Sequence, residues 1–163
     1  MRASLEAHLG SRQVARVVYG AIIGLALVVV LQAHPPGAGV TTVWLIGTAL
    51  AVALAELFSD VVGVETSTRH RVTKDQLTHM LGDAIAVAAG VAFPALFFLL
   101  AVLQLIALGT AFGIAKWSGL GLIGFYGYWA ARFAGASVVG AFVRGASVAL
   151  VGAALIVLKA LIH

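Results

Sequence analysis

The sequence predicts an all-α membrane protein, a bundle of five transmembrane helices with a cytosolic N-terminus. Composition, segmentation and the placement of basic residues predict it. Of 163 residues, 62% are hydrophobic and 10% charged, and the mean hydropathy is +1.09. A soluble domain carries about 25% charged residues, so a soluble fold of this length would lack polar surface to cover itself. The charges also fall in short clusters between apolar runs, each near the roughly 20 residues that a bilayer-crossing helix needs.

The first run, 14–33, holds only Arg16 and Tyr19 near its start, which suit an interfacial anchor. Before it, residues 1–13 form a polar cytosolic segment with Leu5 and Leu9 at helical spacing. Two readings stand there, a short helix on the membrane surface and a loosely ordered terminus. The apolar run is long and no small-residue cleavage site follows it, so no cleaved signal peptide is expected. His34-Pro35-Pro36-Gly37 reverses the chain, because proline stops a helix and glycine permits the turn.

The second span covers 40–63. Residues 65–80 form the longest polar stretch and read as a hydrophilic loop, with Lys74-Asp75-Gln76 starting the next helix. The third span, 83–106, contains Pro94, tolerated in a membrane helix as a kink. The fourth covers 110–132 and the fifth 137–160. Together, 14–163 form one transmembrane domain. Arg2, Arg12, Arg16, Arg69, Arg71, Lys74, Arg132 and Arg144 fall at one end of these spans, against Lys116 and Lys159 at the other. An excess of Lys and Arg marks the cytosolic side.

Several function classes drop out. The chain has no cysteine, which excludes disulfides, thiolate metal sites and a thiol nucleophile. The net charge of +4 and pI near 10.0 sit at span ends, where topology explains them without nucleic acid. No Ser/His/Asp ordering, P-loop or dinucleotide fingerprint is present, so neither an enzyme nor a bound cofactor is expected. Lys116 beside Trp117 reads as a snorkelling interfacial pair.

Small residues recur at four-residue spacing at Gly20 and Gly24, at Gly109 and Gly113, and at Ala136 and Gly140. Such spacing lets helix backbones approach closely, either across a dimer face or inside one bundle. The carboxylates carry more information. Glu56 and Asp60 are four residues apart and share a helix face. Asp83 begins the third span at the same end. Glu56 sits one to two turns deeper than the span end, about 6–10 Å at 1.5 Å per residue. A carboxylate at that depth costs about 2.5–3.5 kcal/mol on insertion scales and needs a partner or a cavity. Glu56, Asp60 and Asp83 are therefore the candidate metal ligands, since hard divalent cations take carboxylate oxygens. For Asp60 and Asp83 the plainer reading is an interfacial pair with Arg69, Arg71 or Arg144.

Short stretches in all five spans resemble one family. Val17-Val-Tyr-Gly-Ala-Ile-Ile-Gly-Leu25 resembles the VVYGANDGL opening of the vacuolar iron transporter family. Ala55-Glu56-Leu-Phe-Ser59 is similar to its GEYVS segment, and Ala89-Gly-Val-Ala-Phe-Pro94 to its GALIP-type third span. The stretch from Gly127 through Arg144 to Leu161, with an Arg-bearing loop between the fourth and fifth spans, completes the likeness. The resemblance implies a five-span homodimer that exchanges protons for Fe²⁺ or related divalent metals such as Mn²⁺, with Glu56 as a ligand; the cell membrane is the expected location of such a multi-pass chain. It also implies an aspartate and a methionine where this chain has Ile23 and Val52, and a cytosolic metal-collecting helical domain larger than the segment 65–80 here. Two functions are therefore carried forward. One is proton-coupled divalent-cation transport through Glu56; the other is a non-transporting membrane scaffold or partner protein that keeps the fold without a metal site.

Overall fold

A computed structural model describes residues 12–162, and among these every regular element is a helix. Of the segment 1–13, only Arg12 and Gln13 are described, and they open the first helix; the surface-helix expectation lies outside the described residues. The helices are α1 (Arg12–Leu31), α2 (Ala38–Thr68), α3 (Lys74–Ala92), α4 (Ala95–Val102), α5 (Leu108–Phe133) and α6 (Val138–Ile162).

Two of them, α1 over Gln13–Leu31 and α2, are long and apolar enough to cross a membrane. The pair α3 and α4 meets the same standard when taken together, bent by 49° where Pro94 interrupts the helix. Proline has no N–H, so the bond that would close on the Gly90 carbonyl is missing and the axis turns there. These helices make the chain a membrane protein by length and composition.

The stretch 65–80 is not one loop. Residues 65–68 continue α2, which ends where Arg69 turns left-handed (φ 57°) and its N–H reaches the Glu65 carbonyl. The connection 69–73 ends at Thr73, which caps α3. Its hydroxyl accepts from the Gln76 N–H, while the Gln76 side chain accepts from the Thr73 N–H at 2.9 Å. That reciprocal capping box satisfies two of the four orphan donors of the first turn, and Asp75 adds a favourable charge beside the helix dipole. The local signal at Lys74 thus does start the helix, two turns before the third apolar run.

The central helix is α1, packed against α3, α5 and α6, while α2 lies on α3 and α4. Its crossing with α3 is a backbone contact. A Cβ added at Gly20 would collide with the Val87 carbonyl, and one at Gly90 with the Val17 carbonyl. Only glycine allows axes so close. The Gly20/Gly24 spacing is therefore used inside the bundle. Gly109 and Gly113, by contrast, face open space.

Three apolar clusters fill the interior. Phe98 and Phe112 meet edge-to-face at 4.7 Å among Val28, Leu31 and Leu45. Ala21, Leu25, Val29 and Ile123 join α1 to α5. Ala49, Val87 and Val91 form the third, with Ile23 and Val52 packed against them. On its outer side α2 exposes Val43, Leu50, Leu54, Phe58 and Val62, an apolar surface suited to lipid and not to water. Among the described residues no buried side-chain nitrogen or oxygen lacks a partner. Thr41 and Thr42, for example, bond the carbonyls of Gly37 and Ala38 one turn back, as hydroxyls do when no water is at hand.

Candidate functional site

Four of the charges that enter the bundle gather at the end where α1 begins, α2 ends and α3 begins. Helical spacing prepares each side chain. On α3, Gln76, His79, Met80 and Asp83 stand at i, i+3, i+4 and i+7 and therefore share a face. On α2, Glu56 and Asp60 are one turn apart. On α1, Gln13 and Arg16 are likewise neighbours along the helix.

At the centre is the Arg16 guanidinium. Its Nη1 pairs with Glu56 Oε1, its Nη2 lies 3.5 Å from Asp60 Oδ2 and its Nε lies 3.9 Å from Asp83 Oδ2. Each of the three nitrogens thus faces a different carboxylate. The planar guanidinium has five N–H donors in a fixed fork, so one arginine can turn a separate nitrogen toward each of three acids, where a lysine would offer a single point charge. With all three acids ionised, two negative charges remain in excess over the single cation. Water, protons or another cation must offset them.

An open cleft of about 880 Å³ adjoins the group, lined by Arg16, Asp60, His79 and Asp83 among others. Glu56 does not line it. The Glu56 side chain is 14% exposed against 33% for Arg16, so Glu56 is the more buried partner of the pair. Moving inward along the same three helices, the polar groups stop. Ile23, Val52, Ala49, Val87 and Val91 close the bundle with hydrocarbon.

The three carboxylates singled out from sequence are therefore brought together, and one correction follows. Arg16 is not a free interfacial anchor; it is the partner of all three. Arg69, Arg71 and Arg144, the partners expected for Asp60 and Asp83, are exposed at the surface. Sequence spacing had no means of finding Arg16, because 40 residues separate it from Glu56. The signal available was charge balance, since a buried acid in one span calls for a base in another.

Two further positions bear on the chemistry. Ile23 and Val52, where the family resemblance implies ligands, pack with one another's neighbours in the apolar closure. Among the described residues, no group of three or more His, Cys, Asp and Glu side chains is arranged to hold a metal ion; the acids are disposed around the guanidinium. At the far end of the bundle, Lys116 Nζ donates to Gln32 Oε1 at 3.2 Å, so Lys116 ties α5 to the end of α1, while Trp117 remains exposed.

No protein-family model, curated protein or solved structure matches this chain.

Proposed function

We propose that the chain is a five-span membrane protein, cytosolic at its N-terminus, that moves a divalent cation such as Fe²⁺ or Mn²⁺ in exchange for protons. The observation that carries this reading is the Arg16–Glu56–Asp60–Asp83 group, in which three acids share one base among the described residues, beside an open cleft. A purely structural pair needs one acid for one base. Here three acids face one base, and the surplus is placed where water and ions reach it. Protons or a cation bound there alternate as counter-ions, which is the elementary requirement of exchange. Asp60 and Asp83 offer oxygens to an entering cation, and Glu56 is the deeper ligand. The family-like spans support the same reading.

The five spans are the helices α1, α2, α3 with α4, α5 and α6. The absence of cysteine makes the wild type a ready background for mapping them. A cysteine at Ser67 should label with an impermeant maleimide from the cytosolic side, and one at Gly37 from the opposite side. Identical labelling of both would remove the orientation. The open Gly109/Gly113 face of α5 is where a homodimer would form.

Uptake of Fe²⁺ and Mn²⁺ into proteoliposomes with an acidic interior tests the function. Gradient-driven uptake lost in Glu56→Gln supports exchange. Absence of uptake from folded protein overturns it and favours the second reading, a membrane scaffold or partner protein. That alternative has its own support, since Ile23 and Val52 are apolar and Arg16 already occupies the carboxylates.

A further inference from the structure

We propose that the groove between α5 and α6 is a lipid site, which seats one acyl chain of an anionic phospholipid and holds its phosphate at Arg132. The proposal rests on the part of the reading above that puts α5 and α6 across the bilayer, and it does not depend on cation exchange. The groove has a volume of about 480 Å³ and is walled by Trp117, Phe125, Tyr128 and Phe142. Its floor is the crossing of the two helices, where a Cβ added at Gly145 would stand 2.8 Å from the Gly124 carbonyl oxygen. Glycine lets the backbones meet there and leaves the rings standing above them on both sides. Trp117, Phe125 and Phe142 are each more than half exposed, a surface suited to a hydrocarbon chain. Trp117 and Tyr128 lie eleven residues apart on one helix, about 17 Å at 1.5 Å per residue. One leaflet, half of the roughly 30 Å hydrocarbon core, is about 15 Å deep.

Charge supplies the head group. Gly124, Tyr128 and Arg132 follow one another at four-residue spacing on α5, so Arg132 stands one turn beyond the groove on the same face. Its Nη1 donates to the Ala136 carbonyl at 2.7 Å, and among the described residues it pairs with no carboxylate. Its own helices have none to offer. No acidic residue follows Asp83 in the sequence, whereas Lys116, Arg132, Arg144 and Lys159 do. A second copy docked through α5 and α6 would therefore add basic groups and no acid. A lipid phosphate brings the missing charge, and basic residues at the cytosolic end of a span draw anionic lipid.

Trp117 reports the occupant once Trp44 and Trp129 are replaced by phenylalanine. The variant is reconstituted in phosphatidylcholine vesicles that hold a small fraction of lipid brominated on its acyl chains. Brominated phosphatidylglycerol should quench Trp117 roughly fivefold more efficiently than brominated phosphatidylcholine at the same fraction, the preference that one arginine confers. Arg132→Gln should abolish the difference. Arg144→Gln should keep it, because Arg144 does not line the groove. Equal quenching by the two lipids, or equal loss in the two variants, overturns the site and leaves the five spans standing. Quenching by neither lipid overturns the site as well, and Gly121→Cys, the only thiol in such a chain, separates the causes. Labelling by an aqueous maleimide puts α5 outside the bilayer and overturns the five-span reading too; disulfide cross-linking shows that a second copy fills the groove. The wild type gives a second readout if Arg132→Gln fails to fold. Native mass spectrometry of the detergent-solubilised chain, given equal amounts of both lipids, should show phosphatidylglycerol retained in preference. Retention of the two alike overturns the site.

Discussion

The same three helices behave in opposite ways at two levels about 10 Å apart, seven residues along α1 at 1.5 Å each. At the level of Arg16 they stand apart around a cleft and hold four charged side chains. Through Gly20 to Ile23 they close, first backbone on backbone at Gly20 and Gly90, then through Ile23, Val52, Val87 and Val91. The upper level is stable only because charges meet partners and water reaches them. The lower level needs neither, since hydrocarbon and glycine ask nothing of solvent. Function can reside at the first level and sealing at the second, and the boundary between them is a single helical turn.

The sealing level should be the more fragile to change. Gly90→Ala places a methyl group against the Val17 carbonyl and 2.7 Å from the Ala21 nitrogen. Neither backbone can give way without parting α1 from α3. Overpacking of this kind costs about 3 kcal/mol or more when backbone is the obstacle. Loss of the monodisperse peak in fluorescence-detected size exclusion is the expected result. Gly109→Ala, with nothing within 4 Å, should leave that peak unchanged. Equal behaviour of the two would mean the crossing is not the seal.

At the charged level, Arg16→Ala leaves three carboxylates without their base. Breaking a fully buried pair costs about 3–5 kcal/mol, and the exposure of Arg16 reduces this to about 1–3 kcal/mol, since a screened pair is worth less. A lowered thermal midpoint is expected, partly restored by adding Glu56→Gln, which removes the stranded charge. If the second substitution lowers the midpoint further, the acids are held by something other than Arg16.

Much of this architecture was legible in the sequence, and the illegible parts share a cause. Helix positions followed from apolar runs, and the start of α3 was read at Lys74-Asp75-Gln76, while the Thr73 capping box that fixes it emerged from the structure. The carboxylates stood out because each is improbable in its own apolar surroundings. Arg16 looked like an ordinary interfacial residue until α1, α2 and α3 were brought together; its role is a property of three helices at once. The same holds for Gly20, whose spacing announced a close approach but not the partner, Val87. Likewise, the resemblance flagged Ile23 and Val52 as departures, but only packing makes them one apolar floor.

Within the charged level the three acids should not be equivalent. Arg16 touches Glu56 directly, while Asp83 lies 3.9 Å from Nε. A double-mutant cycle separates such pairs from their surroundings. The Arg16/Glu56 coupling should be the largest, about 1 kcal/mol, and the Arg16/Asp83 coupling smaller, within the few tenths typical of loosely paired exposed ions. Reversal of that order, measured by denaturation in detergent, would move the centre of the group from α2 to α3.

Lys116 supplies the counter-case at the opposite end of the bundle. It is also a cation partly buried among apolar helices, but among the described residues it faces one neutral acceptor, Gln32, and no carboxylate. Removing it as Lys116→Met strands no charge and keeps most of the side-chain volume against α1. The expected cost is that of one hydrogen bond to a charged donor offset by hydration of the amide, about 0.5–1.5 kcal/mol, with the proposed exchange unchanged. The smallness of this effect is what distinguishes a tether between α1 and α5 from the group at Arg16. Loss of the proposed exchange in Lys116→Met with an unaltered midpoint would mean that the far end of the bundle takes part in it as well.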